Sequence, residues 1–102
     1  MWNIPTQEEL SKLPRLYEKE HIPVEEKIIH LHFFIGACDW FIAEFDGEDL
    51  FFGYANLGDD DMAEWGYISF SELKNIRVQC VEVDRDLYWK PERFSDVKKR
   101  LK

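Results

Sequence analysis

Three groups of side chains have types and spacings that chemistry uses. His30 and His32 lie two residues apart, so on a strand they project from one face, roughly 7 Å from each other. Two imidazoles need a third or fourth ligand to hold a metal. No such ligand is identifiable by spacing, so the pair reads as surface histidines and no metal is assigned. Arg85 sits between Asp84 and Asp86. It has the parity of Val81 and Val83, expected to face the core, and a part-buried guanidinium needs a carboxylate in bidentate geometry. Glu44 or an acid on a neighbouring strand is the expected partner. Asp84 and Asp86 are a carboxylate pair of the kind that runs acid–base chemistry when their pKa values split; here they read as solvated strand residues. The third group is Asp59-Asp60-Asp61, which lacks the alternating ligand spacing of a calcium hand. Cys38 and Cys80 read as core residues. The phosphate-binding, dinucleotide-binding, nucleophile-elbow and zinc-protease motifs do not occur. No cofactor is assigned.

The aromatics form a second class of candidate. Trp40, Phe41, Phe45, Phe51, Phe52, Tyr54, Trp65, Tyr67, Tyr88 and Trp89 occur on both parities of their strands, and one parity is expected to be core. If helices do not cover the second, it makes an exposed aromatic surface, the usual mark of a binding site, with Phe52, Tyr54, Trp65 and Tyr67 as its anchors.

Those residues have to be positioned by one domain of 102 residues, 1–102. Its composition is 45% hydrophobic and 16% aromatic, enough apolar surface for a modest core and incompatible with intrinsic disorder. Net charge is −8. The charge is uneven: residues 29–70 contain no Lys or Arg and nine acids, while residues 71–102 are net +3. Direct nucleic-acid binding and anionic-membrane binding are disfavoured, because both depend on Lys and Arg. A basic protein surface is the natural complement. No signal peptide or spanning segment is evident and neither cysteine sits in a C-x-x-C pair, so a reducing cytoplasm is expected.

Thr6 and Glu9 have capping-box spacing ahead of Leu10 and Leu13, predicting a short helix that Pro14 ends. Residues 18–27 read as a charged loop. Strands are predicted at 29–35, with Ile29, Leu31, Phe33 and Ile35 on one face, and at 39–45, 50–55 and 64–70. Asp46-Gly47 marks a hairpin and 58–61 a loop. A short helix capped by Ser69 follows, then a fifth strand over 78–84. A last helix begins at Pro91, with Phe94, Val97 and Leu101 as its apolar stripe. The expected fold is therefore α+β: a four- to five-stranded antiparallel meander with N- and C-terminal helices packed on it.

Five ordered blocks also carry a family resemblance: Leu13-Pro14-Arg15-Leu16-Tyr17, Trp40 to Asp46, Leu50 to Tyr54, Glu64 to Leu73, and Val83 to Trp89. Across residues 13–96 the chain resembles a small family of unknown function carried on plasmids, phages and pathogenicity islands. The resemblance implies a mobile-element protein. It supplies no activity, cofactor or catalytic residue.

The leading expectation is a non-enzymatic accessory protein that binds another protein through an acidic, aromatic surface built from Phe52, Tyr54, Trp65, Tyr67 and Asp59–Asp61. The alternative is a small enzyme or ligand-binding domain with Arg85 and Glu44, Asp84 or Asp86 in a cleft.

Overall fold

Alternating aromatic runs joined by short polar turns fold into a meander. A computed structural model describes residues 1–18 and 20–100. Its main sheet has the order β5-β4-β3-β2-β8, all pairs antiparallel: β2 (Leu31–Ile35), β3 (Cys38–Phe45), β4 (Leu50–Leu57), β5 (Glu64–Ser69) and β8 (Asp84–Arg85). Two-stranded ladders join β1 (Ile28–Ile29) to β9 (Glu92–Arg93), and β6 (Arg77–Val78) to β7 (Val81–Glu82). The helices are α1 (Gln7–Ser11), α2 (Phe70–Asn75) and α3 (Phe94–Arg100). The expected α+β meander with terminal helices is the observed architecture.

Both sheet faces are covered. On the first, Phe33, Trp40, Ile42, Phe45 and Phe51 pack against Leu10 and Leu13 at the N-terminus and Phe70 and Leu73 of α2. On the second, Ile29, Phe41 and Ala43 pack under Phe94 and Val97 of α3, with Tyr54, Trp65 and Trp89 at the margin. The cap signals are real. Thr6 accepts from the Glu9 amide while the Glu9 carboxylate accepts from the Thr6 amide, and Ser69 caps α2 through the Glu72 amide. At the β3–β4 turn, Asp46 Oδ1 accepts from the amides of Glu48, Asp49 and Leu50, and Gly47 takes a positive φ of 93°.

A bulge sets the geometry of the second face. Ile42 pairs with Gly53 and Glu44 with Phe52, leaving Ala43 as the extra residue of β3. Strict alternation would send Glu44 to the first face. The bulge instead sets it opposite Phe52, which in turn opposes Tyr67, so Glu44, Phe52 and Tyr67 form one cross-strand row. A Cβ on Gly53 would collide with the Phe41 carbonyl oxygen, so glycine is what lets the strands close up beside the bulge.

Several expectations are corrected. Ile29 does not share a face with Leu31, Phe33 and Ile35: the strand breaks at His30, and Ile29 belongs to the second core. The single strand over 78–84 is instead the tight β6–β7 hairpin, turned by Gln79 and Cys80 at φ 52° and 69°, followed by β8. The ladder breaks between β7 and β8, so Val81 on the hairpin is exposed while Val83 is fully buried in the first core. Cys80 sits on that turn and is exposed, not core, and Cys38 is half-buried. Pro91 precedes β9 and does not open the last helix, which starts at Phe94. Leu101, Lys102 and Lys19 lie outside the described residues.

Candidate binding cleft

A lone charge inside an apolar strand demands a partner, and Glu44 interrupts Trp40-Phe41-Ile42-Ala43 and Phe45. Its partner is Lys27, whose Nζ donates to Glu44 Oε2 at 2.7 Å. Lys27 is only 7% exposed and Glu44 5%; they are the two charged side chains among the buried residues described. The ammonium also lies 5.8 Å from the centre of the Phe52 ring.

Chain connectivity places this pair on the wall of a cleft. The segment after α1 is tied to the sheet at both ends. The Pro14 carbonyl accepts from the Phe45 amide, and the Lys27 carbonyl accepts from the Phe94 amide, at 2.9 and 2.8 Å. Between these ties the segment arches over the Glu44–Phe52–Tyr67 row. It leaves a cleft of about 410 Å³ walled by Leu16, Tyr17, Ile22, Pro23, Val24, Phe52 and Tyr67, with Glu20, Lys27 and Glu44 as its charges. Tyr67 lies on the edge strand β5 and is 54% exposed. Its hydroxyl meets that of Tyr17 across the mouth at 3.1 Å. This hydrogen bond first, then desolvation and the charges of Glu44 and Glu20, hold the Tyr67 phenol above its usual pKa.

A smaller hollow continues inward past Lys27 and Glu44 to His30, bounded by Pro14, Ile22, Glu26, Ile28 and Ala43. Burial lowers the His30 pKa below its ordinary 6.5. The unfolded chain therefore takes up that proton more readily than the folded one. The resulting stability is fully present above pH 6.5 and is lost as pH falls through the folded value. The lowered carboxylates Glu9, Asp46, Asp49 and Glu82 act at lower pH, since their ordinary values are 4.5 and 3.8. Urea unfolding of wild type and His30→Gln on either side of pH 6.5 checks this. The wild type should lose stability just below 6.5 more steeply than the variant; parallel curves would contradict it.

The sequence-derived site residues separate in space. Phe52 and Tyr67 line the cleft. Tyr54 and Trp65 lie against Phe94 of α3 at ring distances of 4.7 and 4.9 Å. Asp59, Asp60 and Asp61 occupy the β4–β5 turn, beside the exposed Leu57 and Met62. Asp59 caps that turn through the Asp61 amide, and Asp60 accepts from Asn56. Arg85 lies on the opposite sheet edge. Its partner is Glu9 at 2.6 Å, not Glu44, Asp84 or Asp86, because α1 crosses the sheet there while Glu44 is held by Lys27. Asp84 accepts from Asn3 and from the Arg85 amide. His30 and His32 go to different neighbours. His32 stacks on Phe41 at 4.6 Å and is flanked by Asp39 at 2.7 Å and Asp86 at 3.3 Å. Both ring nitrogens face carboxylates, so the ring clamps the loop after β8 onto β3. The described residues contain no group of three or more His, Cys, Asp or Glu able to hold a metal.

Sequence reasoning missed Tyr17, Glu20 and Lys27 as cleft residues. The available signal was Glu44, alone in an apolar strand.

These features define a small α+β domain with a two-faced antiparallel sheet and one aromatic cleft walled by a buried ion pair. The family model described as "Protein of unknown function (DUF2958)" matches residues 6–97. The chain belongs to the DUF2958 family. No curated protein and no solved structure matches it. No described helix is long and apolar enough to cross a membrane.

Proposed function

We propose that this domain is a non-enzymatic accessory protein of a mobile genetic element and that it binds another protein at the cleft. The observation that carries this reading is Tyr67, a half-exposed aromatic on an edge strand beside a preformed apolar hollow. Aromatic side chains next to concave apolar surface, ringed by charge, are the common anchors of protein interfaces. The edge strand also offers unpaired backbone groups that an extended partner segment can match. The acidic turn Asp59–Asp61, at the far end of the β4–β5 hairpin from Phe52 and Tyr67, adds negative charge that steers a basic partner toward the domain. The mobile-element role is supported by the resemblance of the five sequence blocks. A reducing cytoplasm suits the unpaired Cys38 and Cys80.

The test is affinity capture from cells that carry the protein, with the recovered partner then purified and titrated directly. Tyr67→Ala should weaken binding at least about tenfold, in line with a hot-spot aromatic. Changing Asp59, Asp60 and Asp61 together to Asn should slow association and flatten its salt dependence. A partner that binds Tyr67→Ala as tightly as wild type would overturn the cleft reading.

A further inference from the structure

We infer that the cleft recognises a basic side chain of its partner, an arginine guanidinium, held between Tyr17 and Tyr67 and against Glu20. This rests on the protein-binding reading and names the chemistry of that same site.

Three observations converge on it. The walls bring together three aromatic rings, Tyr17, Phe52 and Tyr67, whose faces attract cations. Among the described lining residues the charges are two carboxylates and one ammonium, and the ammonium pairs with Glu44. Of these described charges Glu20 is the one at the mouth, close enough to Tyr67 to act on its hydroxyl. The neighbouring strands supply nothing to neutralise it, because residues 29–70 contain no Lys or Arg. The third observation is Lys27 itself. The chain's own cation already sits between a carboxylate and an aromatic ring on this wall, 2.7 Å from Glu44 Oε2 and 5.8 Å from the centre of Phe52. The wall thus tolerates a desolvated positive charge.

Arginine fits better than lysine. Its planar guanidinium stacks on a tyrosine ring, donates in a fork to a carboxylate, and is more weakly hydrated than an ammonium. The two tyrosine hydroxyls supply further acceptors. A volume of about 410 Å³, open on one side, admits one long side chain and the backbone that carries it.

The probe is N-acetyl-arginine amide, titrated into the purified full chain, with the isosteric but neutral N-acetyl-citrulline amide beside it. Backbone amide shifts locate the site. The side-chain indole N–H resonance of Trp65 gives a second reporter, because Trp65 stacks on Phe52 at 5.3 Å. The arginine compound should saturate in the millimolar range with shifts at Tyr17, Phe52 and Tyr67. The citrulline compound should bind at least about tenfold more weakly. Glu20→Gln, an exposed change that spares the fold, should weaken arginine about threefold and reduce its salt sensitivity. Tyr67→Ala should weaken it about tenfold. Equal binding of the two compounds, or no saturable shift at the cleft with arginine, would overturn the inference. If that happens while Tyr67→Ala still abolishes partner binding, the protein-binding reading stands and the guanidinium assignment falls. If Tyr67→Ala leaves partner binding intact, the reading itself has failed.

Discussion

Glu44→Ala should lower the unfolding free energy by about 3–5 kcal/mol, the usual cost of removing one partner of a buried ion pair. The substitution removes the carboxylate 2.7 Å from Lys27 Nζ and leaves an ammonium on a side chain that is almost fully enclosed. Lys27 can then swing out through the cleft mouth past Tyr67, which fills or distorts the cleft. The paired replacement Lys27→Met with Glu44→Leu should recover most of the loss, because a hydrophobic pair of similar volume avoids both desolvation costs. Urea unfolding of the single and double variants decides the matter. A Glu44→Ala protein within about 1 kcal/mol of wild type would mean that the pair is hydrated, as exposed pairs are. The double variant should also keep the cleft's shape while losing the Lys27–Glu44 charges, which separates their contribution to binding from their contribution to folding.

Phe51→Ala should cost a comparable 3–5 kcal/mol, about the usual loss for a buried phenylalanine. Phe51 has no exposed surface and packs within 5.0–5.8 Å, ring to ring, of Phe33, Phe45 and Phe70. It therefore joins β2, β3 and the start of α2 on the first face. Set against a total stability of order 5–15 kcal/mol, such a loss brings a small domain close to unfolding. The informative control is its neighbour. Phe52→Ala removes the same ring one residue further along β4, on the opposite face and at a cleft wall that is already partly open. Its expected cost is about 1–2 kcal/mol, since water can fill the space left behind. Thermal or urea unfolding of both proteins tests the register of β4 directly: equal losses would mean that the two faces are not distinguished as described.

The contrast between these residues shows how far the sequence could be read. Alternation in β2, β4 and β5, the Asp46-Gly47 turn and the Thr6 and Ser69 caps are local signals. Each depends on residues within a few positions of one another, and each is realised. The expected strand over 78–84 is divided for a local reason too. Nothing in Val78-Gln79-Cys80-Val81 is a conventional turn signal, yet Gln79 and Cys80 both adopt positive φ to close the β6–β7 hairpin. The ladder breaks again between β7 and β8, which is why Val81 is exposed while Val83 is buried; Arg85, opposite Phe33, does keep the core-facing parity of Val83, and it meets Glu9 because α1 packs on that face while the bulge sends Glu44 to the other.

The candidate site was less legible than the fold because its parts come from distant stretches of chain. Tyr17 and Glu20 precede the sheet, Lys27 ends the arching segment, Glu44 belongs to β3, and Phe52 and Tyr67 to the next two strands. The four aromatic candidates do not form one surface: α3 covers Tyr54 and Trp65 and leaves Phe52 and Tyr67 at the cleft.

The class of fold, the meander and the block of 42 residues without Lys or Arg are legible from the chain alone, because alternation, turn chemistry and composition act over short distances. Which of those residues form a site depends on long-range packing. One extra residue in β3 turns Glu44 toward Phe52, and two backbone hydrogen bonds hold the arch that brings Lys27 to meet it. A bulge and a loop anchor are settled by packing between elements far apart in the chain, and no short window of sequence carries that information.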